Sequence, residues 1–108
     1  MIRDIRLKDK EQWEELYKGY ADFYKVEMNG KILQTVWNWV HDKSHEVNGL
    51  VYEIDGDIVG LAHYRRMPSP LRGQDIGFLD DLFVDPKYRG QKIGEKLINK
   101  LKEISKSK

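Results

Sequence analysis

The sequence predicts a single domain over residues 1–108 of mixed α/β (α+β) class, in the order strand, helix, helix, three antiparallel strands, helix. Three observations carry this prediction. Apolar residues recur at helical spacing from Trp13 to Tyr24 and again from Ile93 to Ile104. Asp55-Gly56 separates two apolar runs, Leu50 to Ile54 and Ile58 to Tyr64, and Asp-Gly supplies the positive backbone angles that a tight hairpin turn needs. The run from Ile76 to Val84 is apolar on both sides, as in a central strand covered on both faces.

In chain order, Met1 to Leu7 alternates Ile2, Ile5 and Leu7 with charged residues and predicts a short strand. Asp9 offers an N-cap with Gln12 three residues on, a capping-box spacing, and opens a helix with a broad aromatic face. Asn29-Gly30 breaks that element. Ile32, Leu33, Val36, Trp37, Trp39 and Val40 predict a second helix, which stops before the polar stretch 41–48. Met67 to Gly73 contains Pro68 and Pro70 and predicts a loop, since proline has no N–H for a ladder. Alternation in the next strand puts Phe78, Leu82 and Val84 on one face and Leu79 and Phe83 on the other. It also points Asp80 and Asp81 to opposite faces. The last helical stripe dissolves into Ser105-Lys106-Ser107-Lys108.

Nineteen basic and eighteen acidic side chains nearly cancel, so no global field favours a polyanion, and nucleic acid is not an expected partner. With no cysteine there is no disulfide framework and no thiolate metal site, which fits a reducing cytoplasm. No apolar run approaches the ~18 residues of a membrane span, and no membrane partner is expected. His41, His45 and His63 show no metal-ligand spacing, so no metal is expected, and His63 reads as a packing or hydrogen-bonding residue of the third strand.

The stretch "DLFVDPKYRGQKIGEKL" carries the chemistry. Asp85-Pro86 ends the strand, and the following residues lead into a helix whose first amides lack intrahelical partners. Arg89 and Lys92 add positive charge, and Gly90 and Gly94 allow close backbone approach, a combination suited to phosphate. An ordinary turn with a solvated basic helix start is the plainer reading of the same residues. A Walker A loop is excluded, because no Gly-Lys-Ser/Thr closes the run.

Extended to Leu79, this stretch resembles the acetyl-CoA-binding motif of the Gcn5-related N-acetyltransferase (GNAT) superfamily. In that family an apolar-x-Val strand end is followed by Asp-Pro-x-Tyr-Arg-Gly and a pyrophosphate loop. The resemblance implies a GNAT-like fold, acetyl-CoA as cofactor, and transfer of acetyl to an amine. It implies that Leu82, Phe83 and Val84 pair their main chain with the pantetheine arm. Arg89 would open the loop, with Gly90, Gln91, Lys92, Ile93, Gly94 and Glu95 lining the pyrophosphate with backbone amides. Lys92 departs from the pattern, standing where the loop usually has its first glycine; its side chain either reaches a phosphate or crowds the approach.

The Leu-acidic-Asp-Leu-Phe-Val sub-pattern is similar to that of the diamine acetyltransferases. It implies a small cationic acceptor, polyamine-like or another amino compound, and makes Asp80 the carboxylate that removes the ammonium proton. Asp81 is either a substrate contact or a hydrogen-bonded strand carboxylate. Tyr24 and Glu27 lie near the first inter-helix junction, where the family recruits substrate contacts, although core packing and solvent exposure also account for them. Family members continue beyond the last helix with further strands and a helix. The chain is therefore expected to correspond to the N-terminal two-thirds of the fold, with the strand from Ile76 to Val84 as an open edge. That edge, or the helix from Ile93 to Ile104, is the expected contact of a homodimer. The competing expectation is a catalytically incomplete CoA-binding or oligomerising fragment.

Overall fold

The computed structural model describes residues 1–106. A four-stranded antiparallel sheet runs in the order β1 (Ile2–Asp4), β2 (Val47–Ile54), β3 (Asp57–Ser69), β4 (Gln74–Val84). Helices α1 (Lys10–Phe23) and α2 (Gly30–His41) cover one face, and α3 (Ile93–Lys106) covers the other. The expected fraying of the tail at Ser107 and Lys108 lies outside the described residues. Among the described residues no helix is long and apolar enough to cross a membrane.

The two faces bury separate clusters. Trp13, Leu33 and Trp37 pack on Val51, Ile58, Leu61 and Phe83. Ile93, Leu97 and Leu101 pack on Leu50, Val59, Ala62 and Tyr64. Fully burying a side chain such as Leu97 or Leu61 contributes about 1.5–3 kcal/mol, so these stripes fix how the helices lie. Gly60 lets α3 seat closely, since a Cβ there would come within 3.1 Å of Ile93 and 3.3 Å of Leu97. The hairpin turns at Asp55 (φ 49°) and Gly56 (φ 86°), the two positive angles that the dipeptide favours.

Four expectations are corrected. Asp9 and Gln12 form no capping box. The Asp9 carboxylate turns inward to Arg3 and the Arg6 amide, while Gln12 accepts from Ile58 N at 2.8 Å and donates to Gly56 O. Met67 to Ser69 belong to β3, paired with Ile76 to Gln74, and only the turn between Ser69 and Gln74 is irregular. Proline is tolerated there because β2 pairs with β3 no farther than Arg65, so Pro68 faces β4 on one side only. β4, central by its apolar pattern alone, is the outermost strand among the described residues, the open edge that the family resemblance implies, and Phe78 is 45% exposed.

The fourth correction bears on the site. His63 pairs with Asp81 and Tyr64 with Leu79, leaving Asp80 without an opposite number, a β-bulge. The extra residue resets the alternation. Leu79 therefore joins Leu82 and Val84 on the α3 face, and Asp80 and Asp81 line the same cleft instead of opposite faces.

Candidate active site

The bulge sets two acids at the wall of a cleft of about 340 Å³, bounded by Tyr17, Trp39, Glu46, His63 and Arg65. Asp81 is the more deeply held. Its Oδ2 accepts from the Tyr17 hydroxyl at 3.1 Å and lies 2.9 Å from His63 Nδ1. On the other side of that ring, Trp13 Nε1 donates to His63 Nε2 at 3.0 Å. Indole only donates, so Nε2 must accept, and the ring proton sits on Nδ1, facing Asp81. Burial pushes the Asp81 carboxyl up, but hydrogen bonds from His63, Tyr20 and Tyr17 more than offset this and hold it below the usual carboxylate range. Burial, with the Asp81 carboxylate beside them, raises both phenols, Tyr20 to about 12, so both remain O–H donors at neutral pH.

Asp80 is held differently. Arg65, from β3, donates to its two oxygens through Nε at 2.9 and 3.1 Å and through Nη2 at 2.8 Å. The guanidinium lies 5.1 Å from the Phe78 ring centroid. The paired side chains are 36% and 26% exposed, and a pair this wet contributes about 0–1 kcal/mol. Its oxygens are occupied but loosely owned.

The next three residues of β4 face a second, shallower groove of about 300 Å³, walled by Phe23, Tyr24, Leu82, Phe83, Val84 and Arg89. The Arg89 guanidinium lies between the rings of Phe23 (5.1 Å) and Phe83 (5.5 Å), with Nε 3.4 Å from Val84 O. Beyond it, Gly90 has φ 92° and Lys92 φ 60°. Lys92 therefore holds a left-handed angle that disfavours a side chain by about 1–2 kcal/mol, at the position where the sequence pattern expects glycine. Its carbonyl accepts from Lys96 N at 3.0 Å and starts α3, so the Ile93, Gly94 and Glu95 amides fall in a first turn without intrahelical acceptors. A Cβ on Gly90 would meet nothing within 4 Å, which leaves open space over the loop. Gly94 sits in ordinary contact range of Leu82 and Val84, and the Ile93 side chain is core.

A thin amide-bearing arm ending in phosphates fits this groove. The groove has a free strand edge among the described residues, aromatic walls, and amides with positive charge at its far end. Of the remaining expected residues, Tyr24 borders the groove and is 57% exposed. Glu27 is exposed between α1 and α2 and lines neither cleft. The Trp13–His63–Asp81 chain and Arg65 had no local signal in the sequence, because each contact joins residues 15 to 50 positions apart. Among the described residues no group of three or more His, Asp or Glu could hold a metal ion.

The profile of the acetyltransferase (GNAT) family matches residues 11–108. The chain is 29% identical over 100 residues to a D-amino-acid N-acetyltransferase of Saccharomyces cerevisiae, covering 91% of this chain and 62% of that protein. It is 41% identical over 51 residues to a thialysine N-epsilon-acetyltransferase of Bos taurus, covering 47% and 29%. The chain thus spans less than two thirds of each of these relatives. A ribosomal-protein-alanine N-acetyltransferase structure from Brucella melitensis biovar Abortus 2308 superposes with a TM-score of 0.79 at 22% identity, covering 99% of this chain and 71% of that one.

Proposed function

Because the chain belongs to the acetyltransferase (GNAT) family, we propose that it carries the cofactor and acceptor sites of an acetyl-CoA-dependent N-acetyltransferase. The acceptor would be the primary amine of a small cationic substrate, polyamine-like or another amino compound. One observation carries the reading: consecutive residues of a single bulged strand face two clefts, Asp80 and Asp81 an acidic one and Leu82 to Val84 an apolar groove ending at an amide-rich loop.

Bound acetyl-CoA would supply a thioester on which a neutral amine forms the new C–N bond as the C–S bond breaks, CoA leaving as the thiol with the second N–H proton. The residues of this chain would do the rest. Leu82, Phe83 and Val84 offer backbone groups to the pantetheine arm, and Phe23 and Tyr24 wall it from water. The amides of Gly90 through Glu95, with Arg89 and Lys92, meet the pyrophosphate. Glu46, Asp80 and Asp81 draw an ammonium group into the acidic cleft, and Asp80 takes its proton. Glu27, exposed between α1 and α2, would touch only an extended acceptor. The two relatives described above are named for amino-acid amines, which supports a small amino compound.

Calorimetric titration with acetyl-CoA tests the loop. The parent should bind, and Gly90→Asp should weaken binding roughly tenfold or more, since it sets a carboxylate against pyrophosphate. Gly90→Asn carries similar backbone strain without the charge and should bind closer to the parent. Equal affinity of Gly90→Asp and parent would remove the loop assignment.

The β4 edge supports one further reading, a homodimer docked through β4 or α3, because no strand lies outside β4 among the described residues and Phe78 is exposed. Sedimentation equilibrium at micromolar concentration should then give twice the monomer mass. A monomer with slowly exchanging β4 amides would overturn it.

A further inference from the structure

We propose that the acceptor bears an anionic group as well as its amine, and that Arg65 reads it: the substrate class is a zwitterionic amine, such as an amino acid, rather than a bare polyamine. This rests on the assignment of the Asp80–Asp81 cleft as the acceptor site. The cleft mixes charges, with Glu46, Asp80 and Asp81 against Arg65. A polyamine, positive at both ends, meets the Arg65 guanidinium beside Asp80 as well as the acids. An amine with a carboxylate places opposite charges on both.

The geometry of Arg65 favours this role. It grips Asp80 through Nε and Nη2, and Nη1 makes no hydrogen bond among the described residues. A guanidinium is a rigid fork with more than one usable edge, so a second carboxylate can dock on Nη1 and Nη2. Phe78 supports the guanidinium from behind, which limits its swing. Because both partners are partly exposed, a carboxylate arriving on Nη1 and Nη2 can draw Nη2 away from Asp80. That shift does more than bind. It leaves Asp80 Oδ1 with only the longer Nε contact at 3.1 Å, so this oxygen takes the proton leaving the substrate nitrogen, Asp80 becomes neutral and the amine keeps its lone pair. An amine without the anion would leave Asp80 occupied by Arg65.

Matched pairs that differ only in a carboxylate decide it: lysine and cadaverine, ornithine and putrescine, phenylalanine and phenethylamine. The kcat/KM for acetyl transfer and, independently of turnover, the calorimetric Kd would be measured for parent and Arg65→Gln. In the parent the carboxylate-bearing member should be favoured roughly tenfold or more in at least one pair, the size expected of a charged hydrogen-bonded contact. Arg65→Gln should bring that ratio to within about threefold. Preference for the decarboxylated member in every pair, a preference unchanged by Arg65→Gln, or no binding of any member overturns the proposal. Failure of the parent to bind acetyl-CoA would instead overturn the acetyltransferase reading, which separates the two failures.

Discussion

Replacing Arg3 with leucine is expected to destabilise the domain by about 3–5 kcal/mol at pH 7, a large share of the 5–15 kcal/mol that holds a typical domain folded. Arg3 donates to both oxygens of Asp9, Nη1 at 2.7 Å and Nη2 at 2.9 Å, and through Nε to Glu53 at 2.6 Å. The side chains of Arg3 and Asp9 are only 6% and 3% exposed. Without Arg3 the carboxylate keeps a single hydrogen bond, from Arg6 N at 2.7 Å, in a site closed to water. Burial alone pushes the Asp9 carboxyl up, but the Arg3 hydrogen bonds, the Arg6 amide and the charge of Arg3 together bring it below its ordinary value. A depressed folded pKa contributes stability above the unfolded value of about 4, and that stability is lost as pH falls through the folded pKa. In Arg3→Leu burial prevails and the carboxyl rises above its unfolded value, so the gap between variant and parent narrows as pH falls through that raised pKa. It narrows further below about pH 4 as the parent loses its own stabilisation. Urea unfolding at pH 7 and at pH 3.5 measures both effects. Arg3→Leu with Asp9→Leu should recover most of the loss, since two apolar side chains leave no stranded charge. A single variant within about 1 kcal/mol of the parent would mean that water reaches Asp9 after all.

What was legible in the sequence follows the range of each cause. The hairpin rests on two adjacent residues, Asp55 and Gly56, and both adopt the predicted angles. The turn into α3 is equally local: Asp85 accepts from Lys87 N at 3.0 Å, and Pro86 opens the short helical turn Pro86–Tyr88. The stripe of α3 is periodic over several turns, and its buried residues fall where the period puts them. That of α1 holds for Trp13, Leu16 and Tyr17 but not for Phe23 and Tyr24, which are exposed. Pairing across the fold left no such trace. Arg3 reads as one more charge in a chain rich in them and Asp9 as an exposed helix cap, and only the folded structure makes Asp9 dry. The bulge at Asp80 was hidden for another reason. A period of two has no mark for an inserted residue unless glycine or proline flags it, and "FLDDLFV" contains neither. One unmarked residue therefore reversed the faces of Phe78, Leu79 and Asp80 while leaving Leu82 to Val84 as expected. The motif itself was readable, but the site around it was not.

That reversal makes Asp80 and Asp81 a test of geometry against sequence spacing, and the two asparagine variants are expected to differ in kind. Asp80→Asn removes a partly exposed partner of Arg65, so stability should change by no more than about 1 kcal/mol. Turnover should fall by about 10²–10⁴, the usual contribution of a positioned base. The deficit should grow as pH falls, because without the base only amine already neutral in solution reacts, and that fraction shrinks with every pH unit. Asp81→Asn should act first on stability. Its carboxylate collects hydrogen bonds from Tyr17 and His63, and an amide offers one acceptor oxygen and an NH₂ group facing donors. The expected loss is about 1–3 kcal/mol at neutral pH. It should shrink in acid, because the folded carboxyl titrates below its usual value and its stabilisation is lost as pH falls through that pKa. Thermal melts from pH 7 to pH 3 and pH–rate profiles with a zwitterionic acceptor separate the two positions. If Asp80→Asn keeps the parent's profile while Asp81→Asn, still folded, loses the low-pH limb, the proton goes to Asp81, and the Trp13–His63 chain behind it becomes the support of the base rather than of the fold.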